Sequence, residues 1–173
     1  MNRYHQLIVI GPGSGGRDTA ILGARTGLRV LLVEKDDLGG TWFHRGCYPI
    51  RTLRACATHY QEVEKSSRFG LSIDLSETGW ADRIATQRRV SKRLAEDLGR
   101  SLEELSVQIR FGTAKLVTPN EVEIFHPNRV GDRVSGQNII IAPGSRPAFS
   151  SAENSKILTS EGKLASELGR SRW

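Results

Sequence analysis

Cysteine is scarce in this sequence: only Cys47 and Cys56 occur in 173 residues. If both lie on one helix, a rise of about 1.5 Å per residue separates them by about 13 Å. A disulfide needs Cα atoms within roughly 7 Å. Two free thiols are therefore expected, as suits a reducing compartment. Long apolar runs are missing too, and none approaches the ~20 residues of a membrane helix. The opening "MNRYHQLIVIGPG" holds too short an apolar run for a secretory leader and leads straight into a structured motif. A cytoplasmic protein with no membrane partner is the expectation. Histidine is sparse: His5, His44, His59 and His126 show no ligand spacing, so each reads as a surface residue and no metal site is expected. Internal repeats, low-complexity tracts and long linkers are also missing.

What is present is an ordinary globular composition, 38% hydrophobic and 25% charged, in a length that suits one domain. The net charge of +6 comes mainly from arginine. A basic chain can bind nucleic acid or anionic phosphates. Here the arginines are scattered, with small groups at Gln87-Arg88-Arg89 and Ser91-Lys92-Arg93. Such groups read as a solvated helix face, so a nucleic-acid partner is not expected.

The N-terminal third has the clearest organisation. Leu7-Ile8-Val9-Ile10 suits a buried parallel strand. "GPGSGG" follows, and "RDTAILGARTG" reads as a helix ending near Gly27. Arg29 to Val33 forms a second buried strand with Glu34 at its end. Helix resumes near Pro49, which is tolerated in a first turn, and continues from Ile50 to Ser66. "FGLSID" suits a short extended piece. Ile84, Val90, Leu94, Leu98, Leu102 and Leu105 mark an amphipathic helix with a possible break at Gly99. The last third turns β-rich, with "VQIRFGTAKLV", "EVEIF" and "NIIIA". Pro119-Asn120 and Asn128 to Asp132 are turn signals. These predict a small antiparallel element, then a return strand to the main sheet at Asn138 to Ala142. The fold class is α/β: a Rossmann-like domain with a parallel sheet, flanking helices and a small antiparallel β element.

Strand, glycine turn, helix, strand and acid follow one another at Leu7 to Glu34 in the order of a dinucleotide fingerprint. Gly11 permits the tight turn, Gly13 lets backbone approach a pyrophosphate, and Gly16 lets helix and strand pack closely. Ser14 and Gly15 complete the turn, whose helix N-terminus favours phosphate. Glu34, followed by Lys35, can accept hydrogen bonds from both hydroxyls of an adenosine ribose. Its charge would repel a 2′-phosphate, which favours FAD or NAD over NADP.

The continuous pattern "GPGSGGRDTAILGARTGLRVLLVEKDDLGGTWFHRGCYPIRTLR" resembles the FAD domain of the pyridine nucleotide–disulfide oxidoreductases. That family includes dihydrolipoamide dehydrogenase, glutathione reductase and mercuric reductase. Leu38-Gly39-Gly40-Thr41, Gly46-Cys47 and Pro49 match its redox motif. "FGTAKLV" and "IAPGSRP" are similar to two later family segments. The resemblance implies FAD as cofactor, held by the glycine turn and Glu34 with Gly39, Gly40, Thr41, Arg51, Ala114, Ala142, Gly144 and Ser145. It also implies that Cys47 is the cysteine beside the flavin and the single candidate catalytic residue.

The departures carry equal weight. Trp42 stands where the family has its exchange cysteine, Ile50-Arg51 replaces its Ser-Lys, and Pro143 replaces its threonine. Residues 1–150 are expected to form the FAD-type domain, without its usual C-terminal return strand. Residues 151–173 are expected to be a truncated tail where the NAD(P)H domain would begin. Gly131-Asp132 reads as part of a hairpin turn. The resulting expectation is an FAD-binding module with an incomplete redox pair, Trp42 and Cys47, and no full turnover alone. A separate chain would then supply the NAD(P)H and dimerisation domains. The alternatives are a non-enzymatic remnant of the nucleotide fold acting as an interaction protein, or one half of a split flavoenzyme.

Overall fold

The computed structural model describes residues 4–74, 79–126 and 129–146, the side chains at positions 129 and 130 excepted. The chain divides into two compact units, residues 1–42 with 94–145 and residues 43–93 with 146–173. The expected tail at 151–173 and the turn residue Asn128 lie outside the described residues.

The first unit is built on a six-stranded sheet of order β3-β2-β1-β6-β5-β4. β1 spans Tyr4–Ile10, β2 Val30–Glu34, β3 Gln108–Phe111, β4 Thr113–Thr118, β5 Glu121–His126 and β6 Arg129–Ile141. β1 pairs in parallel with β2 and β6, and β2 with β3. Parallel strands need crossovers, and the first is helix α1, Ser14–Arg25. α1 lies close on β1 because it carries glycine where the two meet. A Cβ on Gly23 would come 2.7 Å from Leu7 Cδ2, and one on Gly16 would come 3.2 Å from Val9 Cγ1. On the opposite face, Ile8, Leu31 and Val33 form one buried cluster with Val122, Ile124 and Val134. Burial on both faces explains why β2 reads as an unbroken apolar run.

Two expectations about the last third need correction. The run "VQIRFGTAKLV" is two strands of different partnership: β3 continues the parallel sheet, while β4 pairs antiparallel with β5. Gly112, with φ +155, makes the corner between them. The antiparallel element is also continuous with the main sheet. β6 pairs antiparallel with β5 through Arg129 to Ser135 and in parallel with β1 from Ser135 to Ile141. One long strand thus does the work expected of a hairpin strand and a separate return strand. Gly131-Asp132 consequently lies inside β6 rather than in a turn. His5 departs from the surface reading as well: it is 4% exposed, and its Nε2 lies 2.9 Å from Gln108 Oε1.

The described part of the second unit is mainly helical: it holds α3, Cys47–Lys65, the end of α2, Gly40–His44, and the first half of α4, Trp80–Glu104. α3 holds both cysteines, and both are free thiols. A single 3-10 turn, Ser66–Phe69, follows, and residues 71–74 form no strand. α4 passes Gly99 without a break. Its apolar seam is partly polar: Gln87 and Ser91 are buried, Gln87 Nε2 donates to Ser91 Oγ, and Ser91 Oγ donates to the Phe43 carbonyl at 2.6 Å. A hydrogen-bonded pair can sit in a core because each polar atom has a partner. The flanking Arg88, Arg89, Lys92 and Arg93 are exposed, as expected of a solvated face. Among the described residues, no helix is long and apolar enough to cross a membrane.

Candidate functional site: a dinucleotide cradle

The glycine turn joins β1 to α1 at the C-terminal end of the sheet. Gly11 takes φ +97, a conformation that strains any residue with a Cβ. Its N–H donates to the Val33 carbonyl at 2.9 Å, and the Ala142 N–H donates to the Ile10 carbonyl at 2.8 Å. These bonds draw the ends of β1, β2 and β6 together. A Cβ on Gly11 would stand 2.3 Å from the Ala142 oxygen, and one on Gly16 only 1.7 Å from the Gly11 oxygen. Both glycines are therefore required by packing.

Gly13 is different. It caps α1 in an extended conformation, and a Cβ built on it would meet nothing within 4 Å. Gly15 is equally open. The first turn of α1 holds no acidic residue, and no side chain caps it. Its N–H groups and the positive end of the helix dipole are left for an anion. The space a side chain at Gly13 would fill is the space in which a pyrophosphate would approach the backbone.

Glu34 ends β2 beside this turn. It is nearly buried, and its Oε1 accepts the Asp36 N–H at 2.7 Å. Burial raises the pKa of its carboxyl above the usual carboxylate value; the Asp36 N–H opposes that shift, and the Asp36 charge adds to it. Lys35 is exposed, 3.7 Å from Asp36. The Glu34 carbonyl accepts the Gly112 N–H at 2.6 Å, which brings the β3–β4 corner against the acid. Ala114 follows that corner, pairs with Ile124 and packs on the core cluster.

Gly39 and Gly40 carry φ +94 and +55. A Cβ on Gly40 would lie 3.3 Å from Gly13 Cα, so this turn rests on the glycine cradle. Thr41 is exposed on α2. Gly144, φ +76, and Ser145 follow Ala142 in an exposed loop. The structure thus gathers Gly11, Gly13, Gly16, Glu34, Gly40 and Ala142 within one unit. Cys47 and Arg51 lie on α3 in the other unit: Cys47 is the first residue of that helix, and both are exposed. α2 ends at His44 and α3 starts at Cys47, so the helix is broken between Trp42 and Cys47.

Sequence reasoning did not pick out two residues in contact with those just described. One is Gly112, whose signal was an isolated glycine in a β-rich run, often a sign of close backbone approach. The other is Arg17, which stacks on Trp42 with its guanidinium carbon 4.7 Å from the indole centre. No spacing rule links these two positions.

Residues 5–172 match the family model described as Pyridine nucleotide-disulphide oxidoreductase. The chain belongs to this family. It is 31% identical over 169 residues to a protein named Dihydrolipoyl dehydrogenase from Chlamydia trachomatis, covering 95% of this chain and 36% of that protein. It is 33% identical to one named Glutathione reductase from Burkholderia cepacia, covering 86% and 32%. With a Dihydrolipoyl dehydrogenase from Thermus scotoductus it shares 34% identity, covering 84% and 30%. The chain spans about a third of the length of these relatives. It is a dihydrolipoamide dehydrogenase-like pyridine nucleotide–disulfide oxidoreductase domain.

Proposed function

We propose that this domain binds FAD through its ADP half, and that it does not by itself complete a disulfide reductase cycle. The observation that carries the binding assignment is the open cradle at Gly13, set at an uncapped helix N-terminus beside Glu34. The residues fit the group. Backbone N–H groups from Ser14 onward would take the pyrophosphate. Glu34 would accept from a ribose hydroxyl, with one carboxylate oxygen already committed to Asp36. Its charge opposes a 2′-phosphate, so NADP is disfavoured. Lys35, Gly39, Thr41, Ala114, Gly144 and Ser145 belong to the proposed surround.

A bound flavin would supply two-electron redox chemistry. This chain would contribute one thiol, Cys47, the first residue of α3. With tryptophan at position 42, Cys47 lacks the partner with which to store an electron pair as a disulfide. Binding of NAD(P)H and of a disulfide substrate would fall to family regions outside the third of the relatives' length that this chain spans. Calorimetric titration tests the assignment: FAD should bind and NADP should bind more weakly or not at all. A steady-state assay tests the second claim. The isolated chain should not oxidise NADH or NADPH with lipoamide or glutathione disulfide. Saturable turnover there would overturn it, and tighter NADP than FAD binding would overturn the cofactor assignment.

A further inference from the structure

Beside the glycine cradle lies an arginine that the fingerprint does not call for. Arg17 opens the second turn of α1, and its guanidinium stacks 4.7 Å over Trp42. Its Nε donates to Asp18 Oδ1 at 2.8 Å, and its Nη2 lies at the same distance from that oxygen. An arginine carries five N–H donors in a fixed plane, so one carboxylate oxygen engages only part of the fork. The Arg17 side chain is 21% exposed, against 65% for Asp18. Stacking on an indole is favourable and restricts where a long cationic side chain can go.

The location gives that restriction a purpose. Helical side chains lean toward the helix N-terminus, which from Arg17 is the direction of the first turn of α1. The segment that carries Trp42 rests on the same turn through Gly40 and Gly13. The stack therefore ties a permanent positive charge on α1 to the segment that rests on the N-terminal turn of that helix, and that turn contains no acid and no side-chain cap. Trp42 is then a support for Arg17 and not merely a substituted cysteine.

We infer that Arg17, held by Trp42, is a phosphate-binding residue of the dinucleotide site, and that Trp42 fluorescence reports occupancy of that site. The inference rests on the reading that the cradle takes an adenine dinucleotide. Arg17 adds charge-assisted hydrogen bonds to the pyrophosphate, beyond the backbone donors that the glycine turn supplies. Trp42 fixes the guanidinium in advance, so less side-chain freedom is lost when the ligand arrives.

ADP is the probe, because it carries the diphosphate and has no flavin absorbance. The protein carries Trp80→Phe and Trp173→Phe, which leave Trp42 as the reporter. ADP should change its emission, and FAD should bind by calorimetry. Arg17→Gln should weaken ADP and FAD about tenfold, the usual scale of a charged hydrogen bond. Arg17→Lys should recover part of the loss, and Arg17→Gln should flatten the salt dependence of ADP binding. Adenosine, followed by chemical-shift titration, should bind both proteins equally because it has no phosphate. Equal ADP affinity in Arg17→Gln and the parent overturns the role of Arg17 while leaving the dinucleotide site standing. An equal loss for adenosine also overturns it, since that is the mark of a general structural effect. If the parent binds neither ADP nor FAD, the dinucleotide reading itself fails and takes this inference with it.

Discussion

A methyl group on Gly16 would stand 1.7 Å from the carbonyl oxygen of Gly11. That oxygen is backbone, pinned in a turn whose N–H is bonded to Val33, so it cannot rotate away as a side-chain tip could. Gly16→Ala must push α1 off β1. We expect it to lose about 2 kcal/mol or more of stability, at the upper end of overpacking costs, as a lower urea midpoint with an unchanged denaturant slope. An unaltered midpoint would mean that the turn yields.

Gly13→Ala should behave in the opposite way. A Cβ there meets nothing within 4 Å, and the backbone is extended with φ −64. The variant should fold with a midpoint within about 0.5 kcal/mol of the parent. Its methyl group would occupy the approach to the cradle, so FAD affinity should fall at least about tenfold, the scale of one lost charged hydrogen bond. Calorimetry together with the unfolding curve separates the two effects. Unchanged FAD binding would place the pyrophosphate elsewhere.

Glu34 predicts a pH dependence with a definite sign. Burial raises its carboxyl pKa in the folded protein above the reference 4.5, so near that range the folded state holds more protons than the unfolded state. Stability from this group then falls as pH rises through the window from 4.5 upward to its folded value. Glu34→Gln keeps an oxygen that can accept from Asp36 and removes the buried charge. It should raise the melting temperature of the ligand-free protein at pH 7, with the gain vanishing below pH 4.5. The same variant should bind FAD more weakly and discriminate less against NADP. A melting temperature lowered at pH 7 would contradict the burial argument.

The break between α2 and α3 motivates a redox test. In an unbroken helix, positions 42 and 47 would be separated by about 7.5 Å of rise, beyond disulfide reach. Here α2 ends at His44 and α3 begins at Cys47, after Gly46. Trp42→Cys should therefore form an intramolecular disulfide with Cys47 under mild oxidation, leaving Cys56 free. Peptide mapping by mass spectrometry reads the pairing. Three free thiols in folded, oxidised protein would show that the interruption does not bring the two positions together.

The nucleotide half of the fold was legible because its signals are local. An apolar run too continuous for a half-buried strand, glycines at turn spacing and an acid at a strand end all lie within Leu7 to Glu34. The end of α1 at Thr26 and Gly27 followed from capping chemistry. The β-rich third was less legible. Period-two patterning marks a strand but not its partner, so nothing in "VQIRFGTAKLV" announced that β3 would join β2 while β4 turned away. Likewise, His5 looked like a surface residue until the β1 pairings and Gln108 enclosed it.

Sequence alone determined the glycine turn between β1 and α1, the acid at the end of β2, the two free thiols and the family. Each depends on residue type at short spacing, where backbone sterics and helix geometry leave few options. Tertiary structure decided the rest. It made β6 one strand shared by two kinds of pairing, seated Gly112 against Glu34, rested Gly40 on Gly13 and stacked Arg17 on Trp42. Those relationships join positions far apart in the chain, and only packing, which sums over all neighbours at once, can select them.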